Sequence, residues 1–311
     1  RSVDRMTVAE QKCSHLRALV QIAEGRASTL FFASPTRARF LIGRGEAELV
    51  NAGPAPADTG ILQRSPIWPM DRFSTVLPVW TGKTAVLLGG GPSLTQAYVA
   101  LVQAAREAGS VQVIAVNDAY LWAPWADILY AADSSWWLDH AKGTPKPMLK
   151  LSAEQVRERF EAFPGERCSI QSSGMSVEDP RVHLILNKHR DPNGRPIHGH
   201  GLSLDPGALV TGRNSGWQAF NLAVLAGART VILLGMDGQP AKDGRTHWSG
   251  GHREPTPQAA YSEYRRAWSA GEAAIRAAGV KVWNCSPGSA IGFERMDIAE
   301  ALRLAGSRGG P

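Results

Sequence analysis

The chain predicts an α/β protein, a doubly wound, Rossmann-like and mostly parallel sheet preceded by a small N-terminal appendage. Three observations carry that reading. Thr84 to Leu88, TAVLL, is an unbroken apolar run, as a strand buried on both faces requires. It runs straight into Gly89-Gly90-Gly91-Pro92-Ser93, a sequence that ends a strand, turns tightly and opens a helix. From there to the end, strand-like apolar runs alternate with helical patterns, the signature of parallel strands joined by helical crossovers.

The elements follow in order. In the appendage, residues 1–80, Leu16, Leu19, Val20 and Ala23 share one helical face and predict a helix over about 8–23. Short strands are expected near 30–32 and 40–42, then a Pro/Gly/Ala-rich linker at 51–59. The Rossmann-like domain is expected over 81–311. After the first strand, Leu94 to Ala108 predicts a helix stopped by Gly109, with Ser93 as its cap. Val111 to Val116 and Ile128 to Ala132 predict two strands, ending at Asn117-Asp118 and at Asp133. Glu154 to Phe163 reads as a helix and Val182 to Leu186 as a strand. A helix opened by Arg213-Asn214-Ser215-Gly216 runs to Ala226, followed by a strand over Val231 to Leu234. A long helix over Ala259 to Ala278 and a strand over Val280 to Trp283 complete the pattern.

Composition bounds the function. The 311 residues are 43% hydrophobic and 20% charged, enough for a full α/β core and typical of a soluble globular protein. No apolar run approaches the roughly 20 residues that span a bilayer, and no signal-peptide core opens the chain, so a cytoplasmic location is expected. Cys13, Cys168 and Cys285 are odd in number, far apart and without a CxxC pair, which argues against a disulfide framework or a zinc site. The net charge of +6 is spread along the chain; it suits acidic ligands without indicating nucleic acid.

Candidate binding residues gather where open α/β sheets bind ligands, just past the strands' carboxyl ends. The turn Gly89, Gly90, Gly91, Pro92 and Ser93 presents backbone N–H groups to an anion, with a nucleotide phosphate as the expected guest. Asn117 and Asp133 are placed for base or ribose contacts, although turn formation and helix capping explain them equally well. Asn214, Ser215 and Gly216 form a second helix start fit for an anion, and Gly235 and Asp237 follow the strand at 231–234. A dinucleotide fingerprint fails because Leu94 stands where the third glycine belongs. A P-loop fails because Lys83-Thr84 precede the strand. His189, His198 and His200 lie in a Gly/Pro-rich stretch that reads as a surface loop or lid, since no carboxylates complete a metal site.

The order GGGPSL, a strand ending in Asn, NSG opening a helix, LLGMD, THWSGGH and a strand ending NCSPGS resembles the bacterial sialyltransferases that use CMP-activated donors. It is also similar to a wider group of motility-associated glycosyltransferase-like and pterin-diphosphokinase-like proteins. The resemblance covers about 84–305 and implies a GT-A-like core. It implies nucleotide binding by Gly89, Gly91, Pro92, Ser93, Asn117, Ser215 and Gly216, and a general base at His247, with His252 as the rival because of one extra glycine. Gly90 stands where the family often has Asn, and Trp248 where it has a phosphate-holding tyrosine.

The expected activity is transfer of a sugar from a nucleotide-activated, CMP-sugar-like donor to a hydroxyl acceptor. An imidazole suits deprotonation of the acceptor, and helix N-termini suit a departing phosphate. The chain has no Asp-x-Asp after a strand, so neither a metal nor a cofactor beyond the donor is expected. The competing expectations are a pterin-type diphosphokinase using ATP and Mg²⁺ through Asp118, Asp133 and Asp237, and a non-catalytic nucleotide-binding protein of a tailed phage. A homo-oligomer is compatible with every one of these.

Overall fold

The computed structural model describes residues 73–171, 179–250 and 256–307, and the backbone of three short N-terminal strands. Those strands are Arg17–Val20 (β1), Phe32–Ala33 (β2) and Ala47–Val50 (β3). β1 pairs antiparallel with β3, so part of the stretch expected as a helix is a strand. Its apolar residues satisfy helical spacing, but pairing with β3 decides its conformation. The rest of that expected helix, the strand expected near 40–42 and the linker lie outside the described residues. Thr75–Val76 (β4) pairs with β2, and the Val76 and Trp80 side chains are buried in the main core.

Nine parallel strands form the central sheet: Thr84–Leu88 (β5), Gln112–Val116 (β6), Ile128–Tyr130 (β7), Glu166–Ile170 (β8), Val182–Asn187 (β9), Ala208–Leu209 (β10), Thr230–Leu234 (β11), Lys281–Asn284 (β12) and Glu294–Arg295 (β13). Their spatial order is β10-β9-β8-β7-β6-β5-β11-β12-β13. The chain builds outward from β5 to β10 on one side, then returns to lay β11 against the other edge of β5. The fold is therefore doubly wound and Rossmann-like, with its switch point between β5 and β11. In that pair Thr84 stands opposite Thr230 and Leu88 opposite Leu234.

Among the described residues six α-helices cover the sheet: Gln96–Glu107 (α1), Ser134–Lys142 (α2), Ala153–Glu161 (α3), Ser215–Leu225 (α4), Gln258–Ala277 (α5) and Ile298–Ser307 (α6). Strand alternation sends Val86 and Leu88 to one face, where they pack with Val99 and Val102 of α1, Phe160 of α3 and Leu302 of α6. Ala85 and Leu87 point to the other face, against Trp217 and Phe220 of α4 and Trp268 of α5. Cover on both faces is why β5 reads as a continuous apolar run. Helix α4 is buried nearly all round, from Gly216 to Ala223, as a helix caught between a sheet and a second helix must be.

Helix α1 begins later than expected. Thr95, not Ser93, caps it by accepting the Tyr98 N–H at 3.3 Å, because Pro92 and Ser93 are still within the turn. Among the described residues no helix is long and apolar enough to cross a membrane, and Cys168 and Cys285 are buried and free.

Gly271 fixes how closely α5 approaches α4: a Cβ there would lie 2.0 Å from Trp217 Cη2. In an ordinary helix interior Gly→Ala stabilises by about 1 kcal/mol. Gly271→Ala should instead destabilise by about 1–3 kcal/mol through overpacking. Urea unfolding measures it, and a stabilised variant would contradict the packing described.

Candidate functional site

Loops from the carboxyl ends of the strands enclose a cavity of about 700 Å³ at the switch point. That volume is in the range of small-molecule sites. Gly89, Gly90 and Gly91 line it from β5, Asn117 from β6 and Asp133 from β7. Asn214, Ser215 and Gly216 enter from α4, Gly235 and Asp237 from the end of β11, and His247 from the loop beyond. Pro92 and Ser93 stand behind this lining, and His252 lies outside the described residues.

The glycines answer to close backbone approach. A Cβ on Gly89 would meet the Gly235 carbonyl oxygen at 2.4 Å, and one on Gly91 would meet Asp237 Oδ2 at 1.8 Å. Gly89 N–H donates to Leu234 O and Gly91 N–H to Gly235 O, both at 2.8 Å. Ser93 N–H donates to Asp237 Oδ2 at 3.2 Å. The N–H groups of Gly91 and Ser93, expected to face an external anion, are thus spent within the chain. Burial pushes the Asp237 carboxyl upward, against the pull of Ser93 and the charge of Arg295.

At α4 the anion-binding arrangement is open. Asn214 caps the helix by accepting the Trp217 N–H at 2.9 Å, which leaves the Ser215 and Gly216 N–H groups at the cavity wall. Arg213, at φ 53°, lies just before this terminus and also lines the cavity. Beneath, Gln218 accepts the Tyr130 hydroxyl and donates to Thr211 O, which locks the floor.

His247 lies across the glycine turn, its Cδ2 only 3.1 Å from where a Gly90 Cβ would stand. Its Nδ1 is 3.0 Å from Thr246 Oγ1. Trp248 anchors this loop. Its Nε1 donates to Gly89 O at 3.1 Å, its N–H to Gly90 O at 3.2 Å, and its ring stacks on Trp122 at 3.6 Å. Trp248 is therefore a buried strut.

No family model and no curated protein sequence matches this chain. Two solved structures of the sialyltransferase CstII from Campylobacter jejuni are similar to it in fold. One is in complex with a substrate analogue, cytidine-5′-monophosphate, the other with CMP-3FNeuAc. Each is 11% identical, with a TM-score of 0.40, and the match covers 70% of this chain and 87% of the other. At that identity and TM-score the similarity assigns no residue a role.

Several cavity residues escaped the sequence reading. Tyr261 and Tyr264 reach it from the first turns of α5, and burial pushes both phenols up, so they are neutral donors at ordinary pH. Only their spacing of three on a helix already placed near the site could have marked them. Of the His-rich loop, His198 lines the cavity; burial, then the charges of Arg213 and His200, lower its pKa. No group of three or more metal-ligating side chains comes together among the described residues.

Asn117 sits in the left-handed region at φ 53°, and its buried Oδ1 has no hydrogen-bond partner among the described residues. An orphaned buried acceptor costs about 1–3 kcal/mol, a cost that a ligand donor would offset. The next residue holds it in place. Asp118 accepts from Trp136 Nε1 at 3.0 Å and from Lys146 Nζ at 2.7 Å, and His140 Nε2 lies 3.1 Å from its Oδ1. Burial alone would raise this carboxyl, but His140 and the Lys146 ammonium outweigh it and hold the pKa well below the carboxylate range. A depressed folded pKa contributes stability that is full above the unfolded value, about 3.9, and is lost as pH falls below it. Asp118→Asn should therefore cost about 3–5 kcal/mol at pH 7, with a gap to the wild type that narrows only below about pH 4. Urea unfolding between pH 3 and 7 checks this; a gap that has closed by pH 6 would contradict it.

Proposed function

We propose that this chain is a metal-independent, GT-A-like glycosyltransferase that takes a nucleotide-activated, CMP-sugar-like donor into the switch-point cavity. His247 is its general base. The observation that carries the reading is the convergence on one cavity of an imidazole, a helix N-terminus with open N–H groups and the unsatisfied Asn117 oxygen. The CMP-type donor follows from the motif order, which resembles the sialyltransferases that use such donors.

The chemistry then runs on this chain's own groups. The acceptor hydroxyl attacks the anomeric carbon as the bond from that carbon to the phosphate oxygen breaks. His247 takes the hydroxyl proton, and the pairing of Nδ1 with Thr246 Oγ1 holds the ring so that Nε2 can receive it. The departing phosphate gains negative charge where the Ser215 and Gly216 N–H groups, Arg213 and the Tyr261 and Tyr264 hydroxyls surround it. No metal is required for that stabilisation. The diphosphokinase reading depends on carboxylates free to hold Mg²⁺, and Asp118 is already committed to Lys146 and Trp136.

Loss of a general base lowers turnover by about a hundredfold to ten-thousandfold while ground-state binding survives. His247→Ala should show that fall in transfer from, or hydrolysis of, a CMP-sugar, with CMP affinity within about threefold of wild type. Wild-type turnover by His247→Ala would remove the assignment, and the defect appearing in His252→Ala instead would move it. CMP titrated calorimetrically with EDTA and with Mg²⁺ should give the same affinity; a loss of about tenfold in EDTA, about 1.4 kcal/mol, would count against metal independence.

A further inference from the structure

The glycine turn already holds an anion. Asp237 Oδ2 receives the Ser93 N–H at 3.2 Å and presses on Gly91 so closely that any Cβ there would overlap it. The spot where a strand, glycine turn and helix ordinarily receive a phosphate is filled by the chain's own carboxylate. Asp237 is only 6% exposed yet lines the cavity. Apart from Ser93, no donor among the described residues reaches its carboxylate at hydrogen-bond distance. A carboxylate accepts at about four lone-pair sites, so acceptor capacity remains on the cavity side. Its backbone is pinned, since Ala290 N–H donates to Asp237 O at 2.6 Å and Ser289 Oγ to the neighbouring Met236 O at 2.7 Å.

We propose that Asp237 is a specificity-determining residue that reserves the glycine turn for a vicinal diol, the ribose 2′- and 3′-hydroxyls of the nucleotide, and keeps the phosphate off that turn. The inference rests on the nucleotide reading of the cavity. A carboxylate accepts from two adjacent hydroxyls and repels a phosphate brought beside it in a partly buried site. The cavity then offers each part of a nucleoside monophosphate a matching group: the Asn117 oxygen for a base amino group, Asp237 for the ribose diol, and the α4 N-terminus with Arg213 for the phosphate. Sequence alone leaves the phosphate two termini, the glycine turn and the start of α4; the geometry points to the second.

The test compares CMP with 2′,3′-dideoxy-CMP by calorimetric titration into the intact wild-type protein and into Asp237→Asn, whose amide oxygen can still accept from Ser93. Wild type should bind the dideoxy compound at least about tenfold more weakly than CMP, as expected for lost hydrogen bonds to a charged acceptor. In Asp237→Asn that ratio should fall to about threefold or less, with affinity for the dideoxy compound unchanged or improved. Equal affinities in the wild type would overturn the inference and leave the nucleotide reading standing, and this arm decides the matter even if the variant fails to fold. A tenfold ratio that persists in a folded Asp237→Asn would also overturn it. Failure of CMP, UMP, AMP and GMP all to bind would overturn the nucleotide reading, and this inference with it.

Discussion

The contact between the turn after β5 and the loop after β11 is the constraint on which the rest depends. Parallel pairing holds the two strands in register up to Leu88 and Leu234, and the backbones then come so close that only glycine fits at 89 and 91. The same contact places Asp237 against Ser93 at the cavity wall. Trp248 joins it from a distant loop by bonding the Gly89 and Gly90 carbonyls, and so brings His247 over the site. Fold and site thus share one set of backbone contacts.

Polar groups in and behind the cavity wall fall into two kinds. Some are spent on holding geometry: Asp118 on Lys146 and Trp136, Gln218 on Tyr130 and Thr211, Trp248 on the glycine carbonyls. Others keep capacity toward the cavity: the Asn117 oxygen, the first N–H groups of α4, the Asp237 carboxylate and the two α5 tyrosines. Adjacent residues illustrate the division, with buried Asp118 fastened on three sides and Asn117 beside it left with an orphan acceptor. Such placement of satisfied supports beside unsatisfied atoms is the form a preorganised binding site takes.

Much of this was legible in the sequence. The run 84–88, the glycine turn and the helix opened by Asn214 were readable because burial on both faces, turn chemistry and capping all leave local signals. Strand β8 was not: ERCSI carries no apolar period, and its buried Arg167 is tolerated only because it donates to Phe160 O and lies over the Phe160 and Phe163 rings. The expected helix near the N-terminus failed because cross-strand pairing overrode local spacing. At the site, motif order singled out His247, which lines the cavity. It could not show that the Gly91 and Ser93 N–H groups are used internally, since their acceptors lie 144 residues away in the chain.

Hydrogen–deuterium exchange of the intact protein with and without saturating CMP tests the central claim most directly. The account predicts slowed exchange in the peptides that carry Gly89–Gly91, Asn117, Arg213–Gly216 and Thr246–Trp248, with no change at the amino ends of the same strands. Binding that leaves these peptides unaltered, or protection confined to the opposite edge of the sheet, would contradict it.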